Sequence, residues 1–175
     1  LISDFRIHEL YAWNCGEYQE WGKADLNELN YLAARLEELF EEDQDEMYDA
    51  LLCMHHPKSA ADMINLSYGF DKVSYDPSIR NEQDLGEHLV KNNLFAVPED
   101  MKSFVNYKKV GQIYLYTMNL SKDAGMMQVD ESGCICDSHK EQERYGYYDG
   151  VNVPEEYMIL TEEVFEDQAQ QHIQS

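Results

Sequence analysis

The sequence predicts an α+β protein, an elongated chain of two or three small α/β units with a strand-rich C-terminal part. Three observations carry this. Between positions 26 and 105 apolar residues recur at spacings of three and four, in short runs broken by turn residues. Beyond Gly111 the composition shifts to β-branched and aromatic residues. The chain also carries 35 Asp+Glu against 13 Lys+Arg, a net charge of −22, and a charge of that size opposes compaction into one globule. The expected boundaries are 1–75 for an N-terminal helical unit, 76–160 for a C-terminal α+β unit, and 161–175 for an acidic, Gln-rich tail.

The elements follow in order. ISDFRIHELYAW (2–13) suggests a strand, and GEYQEWGKA a loop. Asp25 can cap a helix, with Glu28 completing a variant of the capping box. Leu26, Leu29, Leu32, Ala33, Leu36, Leu39 and Phe40 give that helix one apolar face. A second helix covers Gln44–Met54, with Met47, Ala50, Leu51 and Met54 inward, and His55-His56-Pro57 ends it. Ser59 with Asp62 caps a short helix that runs to Gly69. Lys72–Tyr75 reads as a strand, Asp76-Pro77 as a turn and Glu82–Asn92 as a helix built on Leu85 and Leu89. Pro98 suits the first position of a short helix carrying Met101, Phe104 and Val105. QIYLYTM (112–118) reads as a buried strand, and MMQVDESGCICDS (126–138) as a hairpin around Glu131-Ser132-Gly133. YGYYDG (145–150) is turn-rich, and the tail is expected to fray after Phe165.

Composition excludes some classes. A hydrophobic fraction of 43% and an aromatic fraction of 12% argue for a folded chain. The charge repels nucleic acid, whose binding relies on Lys and Arg neutralising phosphates. Basic proteins or cations are the natural partners. No apolar run reaches the ~18–20 residues of a membrane span, and no signal-type leader opens the chain. Because it begins at Leu1, a fragment or processed product is expected. Four cysteines, Cys15, Cys53, Cys134 and Cys136, are sparse for a disulfide scaffold and suggest reduced thiols in a cytoplasm.

Motifs for chemistry are few. Cys134-x-Cys136-x-x-His139 offers three zinc-type donors, but structural zinc takes four ligands and wider cysteine spacing. An alternating strand running into a polar loop explains it as well. No nucleophile elbow, phosphate-binding loop or H-E-x-x-H motif occurs. The acidic run lacks the glycine of a calcium loop. No catalytic residue, cofactor or metal is expected.

The strongest local feature is LEELFEEDQDEMYD (36–49), with eight acids and no base. Such runs usually end as solvated helix faces. The sharper reading is an anionic recognition ridge of Glu37, Glu38, Glu41, Glu42, Asp45 and Glu46. Glu38, Glu41, Glu42 and Asp45 share a face if one helix continues through them, and a break near Asp43 would fan them out. Carboxylates on successive helical turns repeat every ~5.4 Å, and DNA carries about one negative charge per 1.7 Å of axis.

Several segments point the same way. LISDF, GEY and LNELNYLAARLEEL (26–39), then SAADMINLSYGFDKVSYDPSI (59–79), DLGEHLV, VPEDMKSFVNYKKVG (97–111) and VNVPEEYMI (151–159) together resemble the ArdA antirestriction family. The resemblance covers roughly residues 2–118 and a short piece near 155. It implies an acidic, non-enzymatic, usually homodimeric DNA mimic encoded on mobile elements, which occupies the DNA groove of type I restriction–modification enzymes. The alternative is an ArdA-like acidic interaction domain that binds another basic DNA-processing partner of the same element. Asn106, Lys108 and Ile113 stand where the family pattern has Asp, Glu and Asp, so positive charge replaces negative in that segment.

Overall fold

Helix α1 (Leu26–Glu41) forms the first element of a computed structural model that describes residues 26–121, 125–140 and 143–158. It buries Tyr31, Leu32, Ala33, Leu36 and Leu39. The apolar stripe is shorter than the sequence implies, since Leu26 and Phe40, at the two ends of the helix, are exposed. Helix α2 (Asp45–His55) buries Tyr48, Ala50, Leu51, Leu52 and Met54, and His56 closes it in the left-handed conformation, its N–H donating to the Leu52 carbonyl. Helix α3 (Ala60–Leu66) starts as expected, with the Ser59 hydroxyl accepting from the Asp62 N–H. It ends at Leu66 with Ser67 as cap, three residues before Gly69, which instead opens a 3-10 turn at φ 72°. The strand and loop expected within 1–24, the Asp25 cap and the frayed tail lie outside the described residues.

The chain divides into two compact units. In the first, residues 26–68 pack with 145–158. Polar groups of α1 and α3 hold the returning segment. The buried Asn65 amide donates to the carbonyls of Ala61 and Tyr148 at 3.0 Å and accepts from the Tyr148 N–H at 2.8 Å. The Tyr31 ring stacks on Tyr157 at 4.3 Å and meets the Tyr148 ring edge-on at 5.3 Å. Asn30 donates to the Tyr157 carbonyl, and the Tyr148 hydroxyl to Glu28. The boundaries drawn from sequence grouped 145–158 with the C-terminal unit. The hydrogen-bonding surplus of Asn65 and the tyrosines places it with the N-terminal helices.

The second unit spans Gly69–Arg144. Strand β1 (Val73–Asp76) joins a hairpin of β2 (Met126–Asp130) and β3 (Gly133–Asp137) in an antiparallel sheet ordered β1-β3-β2. Tyr75 faces Ile135 on one side of β3, and Gln128 faces it on the other. Helices α4 (Glu82–Lys91) and α5 (Tyr107–Leu120) cover the sheet core of Ile79, Leu85, Leu89, Val90, Val110 and Cys134. The class is α+β, with the β-hairpin in the C-terminal half.

One element contradicts the sequence reading. Residues 112–118, expected as a buried strand, lie inside α5. The Asn106 side chain caps the helix by accepting from the Lys109 N–H. Val110 and Tyr114, and Gly111 and Leu115, are i, i+4 pairs facing the core. Gly111 lies so close to α4 that a Cβ would overlap the Glu82 carbonyl, and a Cβ on Gly86 would overlap that of Tyr107. Residues Glu99–Phe104 form a 3-10 turn after Pro98, with Met101 and Phe104 exposed and Val105 against the core.

Candidate acidic binding site

The acidic run folds into a corner between two helices. Leu36 and Leu39 anchor the last turns of α1, leaving Glu37, Glu38 and Glu41 on its outer side. The chain leaves the helix through Glu42 and Asp43. Asp43 adopts the left-handed conformation at φ 54°, and the Gln44 N–H returns to the Leu39 carbonyl at 2.9 Å. Gln44 then leads into α2, whose first turn carries Asp45 and Glu46.

The six predicted residues therefore share a locality but not one helical face. The continuous set Glu38, Glu41, Glu42 and Asp45 is broken, because the left-handed Asp43 stops the helix before the fourth member is reached. Glu37, Glu38, Glu41, Glu42 and Glu46 are exposed and Asp45 is half-buried. Among the described residues, Glu38 is the one member in an ion pair, with Arg35. That arginine is largely engaged elsewhere, donating to the Ser67 hydroxyl and carbonyl and lying 4.0 Å above the Tyr68 ring.

Helix dipoles treat the two sides of the corner differently. Acids at a helix C-terminus meet partial negative charge, whereas acids at an N-terminus are favoured. Glu38 and Glu41 close α1, which has no basic residue in its last turn. Asp45 and Glu46 open α2, where their charge suits the exposed N–H groups. The first group is held against its local electrostatic preference.

Asp49 belongs to the corner although it was absent from the predicted set. One of its carboxylate oxygens is buried without a hydrogen-bond partner among the described residues. Burial, then the charges of Asp45 and Glu46, push its carboxyl up to about 6. Its spacing, one turn beyond both acids, was the available signal.

The zinc-type motif does not assemble. Burial is the main reason the Cys134 thiol is raised to about 11, with Cys136 and Asp76 adding to it, and burial also raises Cys136. His139 Nδ1 sits 2.6 Å from Asp137 Oδ1, while Asp137 Oδ2 accepts from Arg144 Nε at 2.8 Å. This buried trio fastens the segment after β3. Among the described residues no group of three His, Cys, Asp or Glu side chains is placed to hold a metal ion. No described helix is long and apolar enough to cross a membrane.

The chain matches no protein-family model, no curated protein and no solved structure.

Proposed function

We propose that the protein is an antirestriction DNA mimic that occupies the basic DNA groove of a type I restriction–modification enzyme. The observation that carries this is the α1–α2 corner, which groups five exposed carboxylates and where, among the described residues, the Arg35–Glu38 ion pair is the one that offsets them. Exposed carboxylates grouped in this way attract Lys and Arg that otherwise hold phosphate, and binding releases the ions around both surfaces. The resemblance of the helical segments to the ArdA family supports the same reading. The test is competition: purified protein should displace duplex DNA from a type I methyltransferase, with affinity falling steeply as salt rises. Absence of displacement at low salt would sink the proposal.

A second reading is an acidic interaction domain for another basic, DNA-processing partner of a mobile element. The turn at Asp43 favours it, because the carboxylates wrap round a corner instead of running in a straight row. Capture of such a partner that duplex DNA does not displace would distinguish the two.

A further inference from the structure

One stretch of this acidic chain is basic. From Met101 to Leu120 no Asp or Glu occurs, while Lys102, Lys108 and Lys109 do. Lys102 pairs with Glu99. Among the described residues Lys108 and Lys109 enter no ion pair, in a chain with 35 acids against 13 bases. Both are exposed in the first turn of α5, which holds no acid, so the positive end of the helix dipole adds to their charge. Beyond them the outer face of α5 is apolar. Ile113, Tyr116 and Leu120 continue from Lys109 at i+4, i+7 and i+11, one line about 16 Å long. They are 52%, 68% and 63% exposed, while Val110, Tyr114 and Leu115 face the core. We infer that this outer face docks an acidic amphipathic helix of a different protein, whose apolar ridge lies on Ile113, Tyr116 and Leu120 and whose carboxylates meet Lys108 and Lys109.

Charge selects the occupant. Carboxylates on the partner satisfy the two lysines and the helix end together, and its apolar residues, three and four apart, interdigitate with the line as helices pack. A basic partner meets lysines here and carboxylates at the α1–α2 corner, so it is directed to the corner. A second copy does not fit this face. Helix α5 has no Asp or Glu, so a two-fold contact of the face with itself leaves the lysines of both copies without a carboxylate. An anionic membrane is a plane, and its approach brings more of a chain of −22 against like charge than a single helix does. A helix laid along the line feels mainly the charges within ~8 Å at physiological ionic strength, and there the lysines dominate.

The neighbouring sheet edge favours a helix over an added strand as the partner's form. The Asn119 side chain donates to the Met127 carbonyl and accepts from its N–H, at 2.9 and 2.8 Å. This occupies backbone groups on β2 that an added strand would need.

The inference does not rest on the DNA-mimic reading, and its test leaves that reading intact. A random peptide library displayed against the full chain and against its Tyr116→Glu variant identifies the ligands that need this face. Peptides lost with Tyr116→Glu should be net acidic, with apolar residues three and four apart. A synthetic copy of one, followed by fluorescence anisotropy, should bind at least about thirtyfold more weakly to Tyr116→Glu and to Ile113→Glu. Lys108→Glu with Lys109→Glu should weaken it roughly tenfold. Far-ultraviolet circular dichroism should be unchanged in all three. None of these changes touches the α1–α2 corner, so competition against DNA should persist. A selection that yields no peptide dependent on Tyr116, or yields basic ones, would overturn the inference. So would binding to phosphatidylserine vesicles, or self-association in sedimentation equilibrium, that Tyr116→Glu abolishes.

Discussion

The α1–α2 and α4–α5 helix pairs solve opposite problems. At the first, carboxylates crowd a turn, and part of them sit at the helix end that disfavours them. At the second, the backbones approach so closely that glycine alone fits at Gly86 and Gly111, and α5 bears no carboxylate. Like charge is concentrated at the turn between α1 and α2, whereas α5, one side of the closest backbone approach, carries no carboxylate. The difference teaches that the acidity is placed, and does not simply cover every surface equally.

Disrupting the close-packed pair should have the largest effect. Gly111→Ala drives a methyl group into the Glu82 carbonyl, and backbone cannot step aside as a side chain can. A loss of more than ~3 kcal/mol is expected, above the usual cost of overpacking, and chemical denaturation measures it. Glu41→Ala at the acidic corner should change stability by less than about 0.5 kcal/mol. Comparable losses at the two positions would erase the contrast.

The next largest effect is expected at Asn65. Replacement by Ala removes the buried contacts to Tyr148 and Ala61 and leaves backbone groups unpaired. About 2–3 kcal/mol should be lost. Released contacts should also raise amide exchange at 148–158, whereas a uniform loss of protection across the whole chain would argue against a local clamp.

These two positions also mark what could be read in advance. Caps and turns were legible because their partners are neighbours: Ser59 with Asp62, the end at His56, the hairpin at Gly133. The corner's carboxylates were legible as an exposed cluster, though their arrangement depended on one left-handed residue, Asp43. Asn65 was not legible, since Tyr148 lies 83 residues away. Residues 112–118 were misread for a physical reason. Ile113, Tyr116 and Leu120 on the outer face filled the gaps between inward positions, so the helical period vanished into a continuous apolar run.

Asp49 gives a smaller, pH-dependent effect. Its folded carboxyl titrates at about 6 against an ordinary value of 3.8, so the folded state holds the proton more tightly than the unfolded state. Its contribution is most favourable below the unfolded value and is lost as pH rises from about 4 through 6. Asp49→Asn should flatten this part of the stability–pH curve and raise stability at pH 7 by ~1 kcal/mol, a figure reduced for solvent screening of a partly exposed group. An unchanged curve would mean that the buried oxygen is solvated in solution.

The smallest effect on stability tests the corner most directly, because its sign should change across one turn. Glu41→Gln with Glu42→Gln removes negative charge around the C-terminus of α1 and should stabilise the fold by a few tenths of a kcal/mol. Asp45→Asn with Glu46→Gln removes charge that suits the N-terminus of α2. That change should be neutral or slightly destabilising, less whatever relief it gives Asp49. Binding should behave differently, with both double variants weakening competition against DNA for a type I methyltransferase, because a basic groove is sensitive to lost charge and not to helix polarity. Paired melting curves and competition assays separate the two responses. If competition follows stability, with the first double variant binding as well as the parent, the carboxylates closing α1 belong to a solvated helix end. The recognition surface would then have to be sought among the acids of α2 or elsewhere on the chain.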